Sequence, residues 1–362
     1  MGIKDLNGFL KRRIPDTIKR THLKDYAGKR VAIDTSIYFY KFLYKHPRFI
    51  EQFLEQIYKL IQSGITPVYI FDGKPPKEKQ NELNERKERK DDMKDKMKQL
   101  QTELIELDET DIVEETDEEF LEESDTELDL EVLKQLEINE KKKKMIKEEI
   151  DKIQRKLIYV TWQHNQELKE FLKLLGIPFI QAECEADAIC AELVRRGVVD
   201  LVMSDDMDLL VDGTQVLLRD FHINSYQVTE YNVEEILLNL GFTRKQWIDF
   251  CILCGCDYTK RIHGLGPQKA YTMIRELGSL PEVLAKYVGE GKKFSYEGDY
   301  PYDQAYHLFT FCAFFKPEYE FISFERPANI EDNYDTLTMY CSEMTNYNEK
   351  TLESRLKIIL SR

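Results

Sequence analysis

Three short, unbroken apolar runs, each handing a carboxylate to whatever follows it, constrain this chain more than any other feature. Arg30-Val31-Ala32-Ile33-Asp34 is the first. Pro67-Val68-Tyr69-Ile70-Phe71-Asp72 is the second, after a helix-like stretch from Phe49 to Ser63 closed by Gly64. Asp200-Leu201-Val202-Met203-Ser204 leads into the acids at Asp205 to Asp208, and Val216-Leu217-Leu218-Arg219 is a further strand candidate. Runs that are apolar throughout, rather than alternating, belong to strands covered on both faces. Alternation with amphipathic helices predicts an α/β fold, a central largely parallel sheet with helices on both faces. Such sheets bind ligands at the carboxyl ends of their strands, which is where Asp34, Asp72 and the Asp205 to Asp208 group fall.

Seven acids stand out: Asp34, Asp72, Glu185, Asp187, Asp206, Asp208 and Asp257. Glu185 and Asp187 open a helix-like stretch, and Asp257 lies in Cys254-Gly255-Cys256-Asp257-Tyr258, just past an apolar helical segment. Each alone has an ordinary reading, because acids are favoured near helix N-termini. Gathered on one edge they would repel unless cations neutralised them. A site of carboxylates without His or Cys suits hard divalent ions, above all Mg²⁺. Two such ions about 4 Å apart activate water and stabilise both the attacking and leaving oxygens of a phosphodiester.

From Gly73 to about Tyr159 the pattern changes. Pro75-Pro76 stops the strand, and a highly charged helical stretch runs to about Leu107. An acidic block follows, then a Lys-rich helix from Lys141 to Lys156. Residues 103–131 hold 16 Asp or Glu and no Lys or Arg, so without them the net charge of −15 becomes about +1. The acidity therefore belongs to one segment and does not argue against a nucleic-acid partner. That composition builds no core of its own, so the middle of the insertion is expected to be mobile. Four regions follow: 1–73 as the first part of a core, 74–159 as the insertion, 160–285 as the second part, and 286–362 as a C-terminal extension packing on it.

Seven cysteines, an odd number, in apolar or helical contexts read as reduced thiols of an intracellular protein. Cys251-x-x-Cys254-x-Cys256 has the look of half a zinc site, but no second Cys/His cluster follows at finger-like spacing, so these are read as structural. No run of 18 apolar residues predicts a membrane span.

The acids and their surroundings resemble the flap endonuclease family, of eukaryotic and archaeal type. Met1-Gly2-Ile3, Val31-Ala32-Ile33-Asp34 and the stretch Pro67 to Pro76 match it, as do Gln163-His164-Asn165 and Leu174-Leu175-Gly176-Ile177-Pro178. Glu185-Ala186-Asp187-Ala188, Asp206-Met207-Asp208, Gly255-Cys256-Asp257-Tyr258 and Gly264-Leu265-Gly266-Pro267 follow in family order. The matches cover roughly residues 1–90 and 155–285. The resemblance implies a PIN-like 5′ nuclease fold with a helical arch over 74–159 and a helix–turn–helix duplex-binding element at about 245–277. It implies that all seven acids serve two Mg²⁺ ions, for which Mn²⁺ substitutes, and that Asp206 and Asp208 rather than Asp205 meet the metal. Asp187 stands where the family usually has Glu.

The same resemblance implies DNA contacts. Lys79, Arg86 and Lys90 are spaced to share one helix face, and by spacing alone i,i+4 pairs such as Glu82–Arg86 explain them as a solvated surface. The family places a Lys and an Arg at Lys79 and Arg86, beside the scissile phosphate. It places Gly2 and Tyr40 on the DNA, with Tyr40 stacked on a base, while neighbouring Tyr38 reads as buried. Gly264, Gly266 and Lys269 lie in a glycine-rich turn opening a helix, where backbone amides approach a phosphate. There the family holds duplex DNA through a K⁺ ion.

Two departures qualify the match. The arch is longer than usual, through 103–131, where a polyanion either lowers non-specific DNA binding or steers the single strand, or is a plain solvated spacer. The chain ends at Ile358-Ile359-Leu360-Ser361-Arg362 without the family's sliding-clamp motif or basic tail, so clamp binding is not expected. The implied activity is structure-specific cutting of 5′ flaps, with 5′–3′ exonuclease activity, by a monomer acting in the nucleus or another DNA-replicating compartment. The competing readings are a 5′-exonuclease or a bubble- or junction-cutting relative, and a catalytically inert branched-DNA binder, whose signature would be missing acids.

Overall fold

The computed structural model describes residues 2–45, 48–118, 126–289, 300–312, 314–325 and 334–361. Among these residues seven strands form one sheet: β1 (Ile18–His22), β2 (Arg30–Asp34), β3 (Thr66–Phe71), β4 (Phe179–Gln181), β5 (Leu201–Met203), β6 (Val216–Arg219) and β7 (Gln227–Asn232). Their order is β1-β7-β6-β5-β2-β3-β4. The five strands from β6 to β4 run parallel, while β7 and β1 add an antiparallel margin.

Side chains alternate across a strand, and here both sets are buried. Ala32, Val68, Ile70, Val202 and Leu217 enter one core, joined by Leu193, Trp247 and Phe250 from helices on that face. Val31, Ile33, Tyr69, Met203 and Leu218 enter the other, with Phe53, Ile57 and Phe171. Leu352, Leu356 and Ile359 of the helix Glu349–Leu360 join this second core, tying the C-terminal segment to the sheet.

Central strand β2 has β3 on one side and β5 on the other, all parallel. The chain moves outward from β2 in both directions, so a crevice opens at the carboxyl ends of β2 and β5. Asp34 ends β2, and Ser204 follows β5 immediately.

The chain divides into two compact units, residues 1–80 with 160–362 and residues 81–159. The second is built from two long helices, Gln80–Glu118 and Thr126–Lys156. Helix thus extends well past Leu107 into the segment expected to be mobile, resuming at Thr126; residues 119–125 lie outside those described. The physical reason is visible between the helices. Lys96 meets Glu149 at 2.9 Å, Lys142 meets Glu103 at 2.8 Å and Lys143 meets Asp108 at 2.6 Å. The Lys-rich run of one helix offsets acids of the other. Among the described residues no helix is long and apolar enough to cross a membrane.

Candidate active site

Asp34 is the innermost acid. Ser204 donates to its Oδ2 at 2.7 Å, and the same Ser204 hydroxyl accepts the Asp206 amide at 3.0 Å. One hydroxyl therefore joins the ends of β2 and β5. Burial, reinforced by the charges of Asp72 and Asp206, pushes the Asp34 carboxyl up to about 7.

Asp72 follows β3, and its Oδ1 accepts the Ala186 amide at 2.7 Å, capping the helix Ala186–Arg195. That helix brings Glu185 at its N-cap and Asp187 in its first turn. The approach is close because residue 73 is glycine. A Cβ there would lie 2.3 Å from the Ala182 carbonyl oxygen and 2.4 Å from the Glu183 carbonyl carbon. The Gly73 amide donates to the Cys184 carbonyl at 2.7 Å.

Asp206 and Asp208 are buried, and the Asp208 amide donates to Asp206 Oδ1 at 3.1 Å. Among the described residues Asp208 Oδ1 has no hydrogen-bond partner despite its burial. Burial and the charges of Asp206 and Asp257 hold the Asp208 carboxyl well above the usual range, and burial with Asp34 and Asp206 does the same to Asp187. Gly2, with φ of 81°, abuts this pair: a Cβ would fall 2.3 Å from Oδ1 of both Asp206 and Asp208.

Lys79, at the end of the short 3₁₀ turn Lys77–Lys79, is buried. Its ammonium pairs with Glu185 and lies 2.9 Å from Asp257. Burial works against that charge, but the two carboxylates outweigh it and hold the ammonium protonated well above the usual lysine range. Glu185 itself stays raised, burial exceeding what Lys79 returns.

Seven carboxylates from five chain segments thus interact at one edge, with one buried cation among them. Among the described residues no three Asp, Glu, His or Cys side chains stand ready as a closed metal cage. The donor set nonetheless fits hard divalent ions: it is all oxygen, one buried carboxylate oxygen lacks a partner among the described residues, and four carboxyls, those of Asp34, Glu185, Asp187 and Asp208, are pushed upward by burial and by the neighbouring acids.

Asp205 has a different task. Lys41 meets it at 2.8 Å, and its Oδ1 accepts the Asp220 amide at 2.8 Å. Burial would raise its carboxyl, but Lys41 wins and holds it below the usual range.

Three participants escape a reading of the sequence alone. Ser204 is an unremarkable serine between a strand and an acidic cluster. Tyr258, whose hydroxyl donates to Glu185 at 3.5 Å, sits inside the Asp257 motif. Asp212 closes the four-residue helix after Asp208, and burial with the charges of Glu185 and Asp206 drives its carboxyl well up. An acid every two to four residues from Asp206 onward was the available signal.

The remaining candidates sit apart from this cluster or in the other unit. Tyr40 lies on the helix Thr35–Lys45 after Asp34 and is 44% exposed, whereas Tyr38 is fully buried. Gly264, with φ of 75°, and Gly266, the N-cap of the helix Pro267–Leu277, both border open space. The Lys269 ammonium donates to the Gly264 carbonyl at 3.1 Å, closing this turn. The helix Arg244–Cys254 precedes the turn, and its Cys251 and Cys254, with Cys256 after it, are buried in the core. Arg86 belongs to the second unit, where it pairs with Glu82 one turn earlier on its helix.

Residues 1–93 match the XPG N-terminal domain and residues 176–257 the XPG I-region. The chain is 36% identical over 327 residues to flap endonuclease 1 of Branchiostoma floridae, across 85% of this chain and 74% of the relative. Its fold matches the catalytic core of Rad2 in complex with DNA substrate, with a TM-score of 0.65 and 23% identity over 97% of this chain and 99% of that one. It also matches the Holliday junction-resolving enzyme GEN1 in complex with product DNA, Mg²⁺ and Mn²⁺, with a TM-score of 0.58 and 15% identity over 98% and 77%. The strand-end acids, the shared fold and the level of identity agree: this chain belongs to the flap endonuclease family.

Proposed function

We propose that the chain hydrolyses DNA at 5′ branches, cutting flaps near the junction of single strand and duplex in replication and repair, with 5′–3′ exonuclease activity on recessed ends. The observation that carries this reading is the meeting of Asp34, Asp72, Glu185, Asp187, Asp206, Asp208 and Asp257 around Lys79. An inert binder has no use for such costly burial of charge.

Asp34, Asp72, Glu185, Asp187, Asp206, Asp208 and Asp257 are proposed to hold two Mg²⁺ ions, directly or through water, with Mn²⁺ an acceptable substitute. When bound, the ions supply a water of lowered pKa and charge neutralisation for the phosphate. The chain's own residues do the rest. Ser204 fixes Asp34 against Asp206, and Asp72 fixes the helix that carries Glu185 and Asp187. Lys79 brings a permanent positive charge to the acid edge, suited to the charge that develops on a phosphoryl oxygen. Arg86 is proposed to add a second. Tyr40, exposed beyond Asp34, offers a ring for base stacking. Gly2 is proposed to bring its backbone to the DNA, and nothing larger fits beside the two carboxylates.

Away from the acids, Gly264, Gly266 and Lys269 form a turn open enough for a DNA backbone, with a K⁺ ion proposed on its carbonyl oxygens. Contacts of that kind read shape and not sequence, as a branch-cutting enzyme requires. Action as a monomer is proposed, in a nuclear or other DNA-replicating compartment where its DNA substrate occurs.

The decisive experiment compares a 5′ flap, a nicked duplex, a bubble and a four-way junction, each with Mg²⁺ and with chelator. Preferential, Mg²⁺-dependent cutting of the flap is expected. Preferential junction cutting would overturn the substrate assignment.

A further inference from the structure

Beside the acid edge lies a groove of about 900 Å³. Glu185 and Tyr258 belong both to its lining and to the acid edge, so the two are continuous. Lys74, Lys77, Phe311 and Phe314 also line it, and the acid cluster makes no use of them.

The aromatic side of the groove is held from within. Phe309 is buried, its ring 5.3 Å from that of Tyr258. Phe315 packs on Tyr319 at 5.5 Å, with the Arg196 guanidinium 4.3 Å from its ring centre. Between these two anchors Phe311 and Phe314 are 58% and 52% exposed. The backbone that carries them is tied down: the Thr310 carbonyl accepts from Arg195 at 3.2 Å, and the Phe311 amide donates to the His307 carbonyl at 2.9 Å. Two large rings kept in water along one groove mark an interaction site.

The other side is basic. Lys74 and Lys77 follow β3, are exposed, and form no ion pair among the described residues. Of the carboxylates in the lining, Glu183 pairs with Lys316 at 2.8 Å and Glu185 pairs with Lys79. That leaves Glu78 against two lysines, and the balance is positive. Rings that accept base faces, beside cations that accept phosphates, are what single-stranded nucleic acid requires.

We propose that this groove receives the single strand of a 5′ flap, with bases stacked on Phe311 and Phe314 and phosphates beside Lys74 and Lys77. The assignment rests on the nuclease reading above and extends it: the acids act at the cut, and the groove holds nucleotides beyond it. Bases paired in a duplex have no free faces to offer the rings, so the groove favours a strand already displaced. Affinity therefore rises with flap length until the groove is filled.

The test titrates the full chain, in chelator, against duplexes whose 5′ flap is one nucleotide or about ten, enough to occupy a single-strand site. Fluorescence anisotropy reads binding, and sedimentation reads the oligomeric state. Wild type is expected to bind the longer flap about tenfold more tightly, the return from roughly one stacked base. The double variant Phe311→Ala, Phe314→Ala should lose most of that preference, whereas Phe311→Tyr with Phe314→Tyr keeps both rings and should retain it. For the longer flap, Lys74→Gln with Lys77→Gln should flatten the slope of log affinity against log salt by about 1. The proposal is overturned if wild type gains nothing from the longer flap, or if the alanine variant keeps the preference. It is also overturned if wild type is a dimer that the alanine variant dissolves, since the groove then joins two copies of the chain. A wild-type chain that binds both flaps but cuts neither with Mg²⁺ counts against the nuclease reading instead, and the length comparison still decides the groove.

Discussion

The Lys79 ammonium lies 2.9 Å from the Asp257 carboxylate and also pairs with Glu185, joining two acids that are 72 residues apart in the chain. Two carboxyls this buried stay ionised together only with a cation nearby. Lys79 supplies one permanently, which leaves fewer charges for exchangeable ions to neutralise.

Replacing Lys79 with Met therefore has two expected effects that separate by experiment. In chelator, Glu185 and Asp257 lose the cation they share, and unfolding should come earlier by about 3 kcal/mol, the usual cost of breaking a buried pair. With Mg²⁺ much of that loss should return. Single-turnover flap cleavage should still fall by about 10²-fold, since a cation aimed at the phosphate is gone, while flap binding changes little. Denaturant melts with and without Mg²⁺, paired with quenched-flow rates, check this. Wild-type cleavage by Lys79→Met would remove the residue from the reaction.

The acid edge also sets a pH dependence. Asp34, Asp187 and Asp208 are all raised in the folded protein, Asp34 to about 7, so the folded state holds their protons more tightly than the unfolded chain. The stabilisation this gives is complete below the ordinary carboxylate range and is lost as pH rises towards and through about 7. Asp205, held low by Lys41, acts in the opposite sense only below about pH 4. The metal-free protein should thus melt at a lower temperature at pH 8 than at pH 5.5, and Mg²⁺ should raise the melting temperature more at pH 8. Scanning calorimetry in chelator and in Mg²⁺ measures both; a flat profile would show that the acids do not burden the fold.

How much of this was legible follows from the range of each interaction. Asp34 and Asp72 announce themselves because an apolar run and the acid ending it are local. Strands β1 and β7 do not: Ile18–His22 holds two cations and a His, and becomes a strand only by pairing with Gln227–Asn232. The pairing of Lys79 with Asp257 is likewise a product of tertiary structure. The helical course beyond Leu107 is not readable locally either, because a short window sees Glu103 and Asp108 but not Lys142 and Lys143, which pair with them.

Gly73 is a purely steric requirement. Gly73→Ala should cost about 1–3 kcal/mol, as overpacking does, because its Cβ would strike backbone and not a flexible side chain. The displaced segment is 182–185, so activity should fall further than the melting temperature alone predicts. Thermal melts and flap cleavage well below the melting point separate the two. An alanine variant of normal stability would mean that the loops after β3 and β4 have freedom to part.

Ser204 offers the sharpest test of how the acids are positioned. Its hydroxyl donates to Asp34 at 2.7 Å and accepts from the Asp206 amide at 3.0 Å, so Ser204→Ala removes both bonds without enlarging any side chain. A serine that only filled core space would, when shortened, depress cleavage equally at every Mg²⁺ concentration. If instead it orients two ligands, the loss should fall on metal affinity: about tenfold more Mg²⁺ for half-maximal cleavage, in line with removal of an outer partner of a metal ligand, and near-normal rates at saturation. Ser204→Thr keeps the hydroxyl and should recover part of that affinity. A Mg²⁺ titration of flap cleavage for the three proteins decides between the two roles, and an unchanged midpoint in Ser204→Ala would reduce Ser204 to packing.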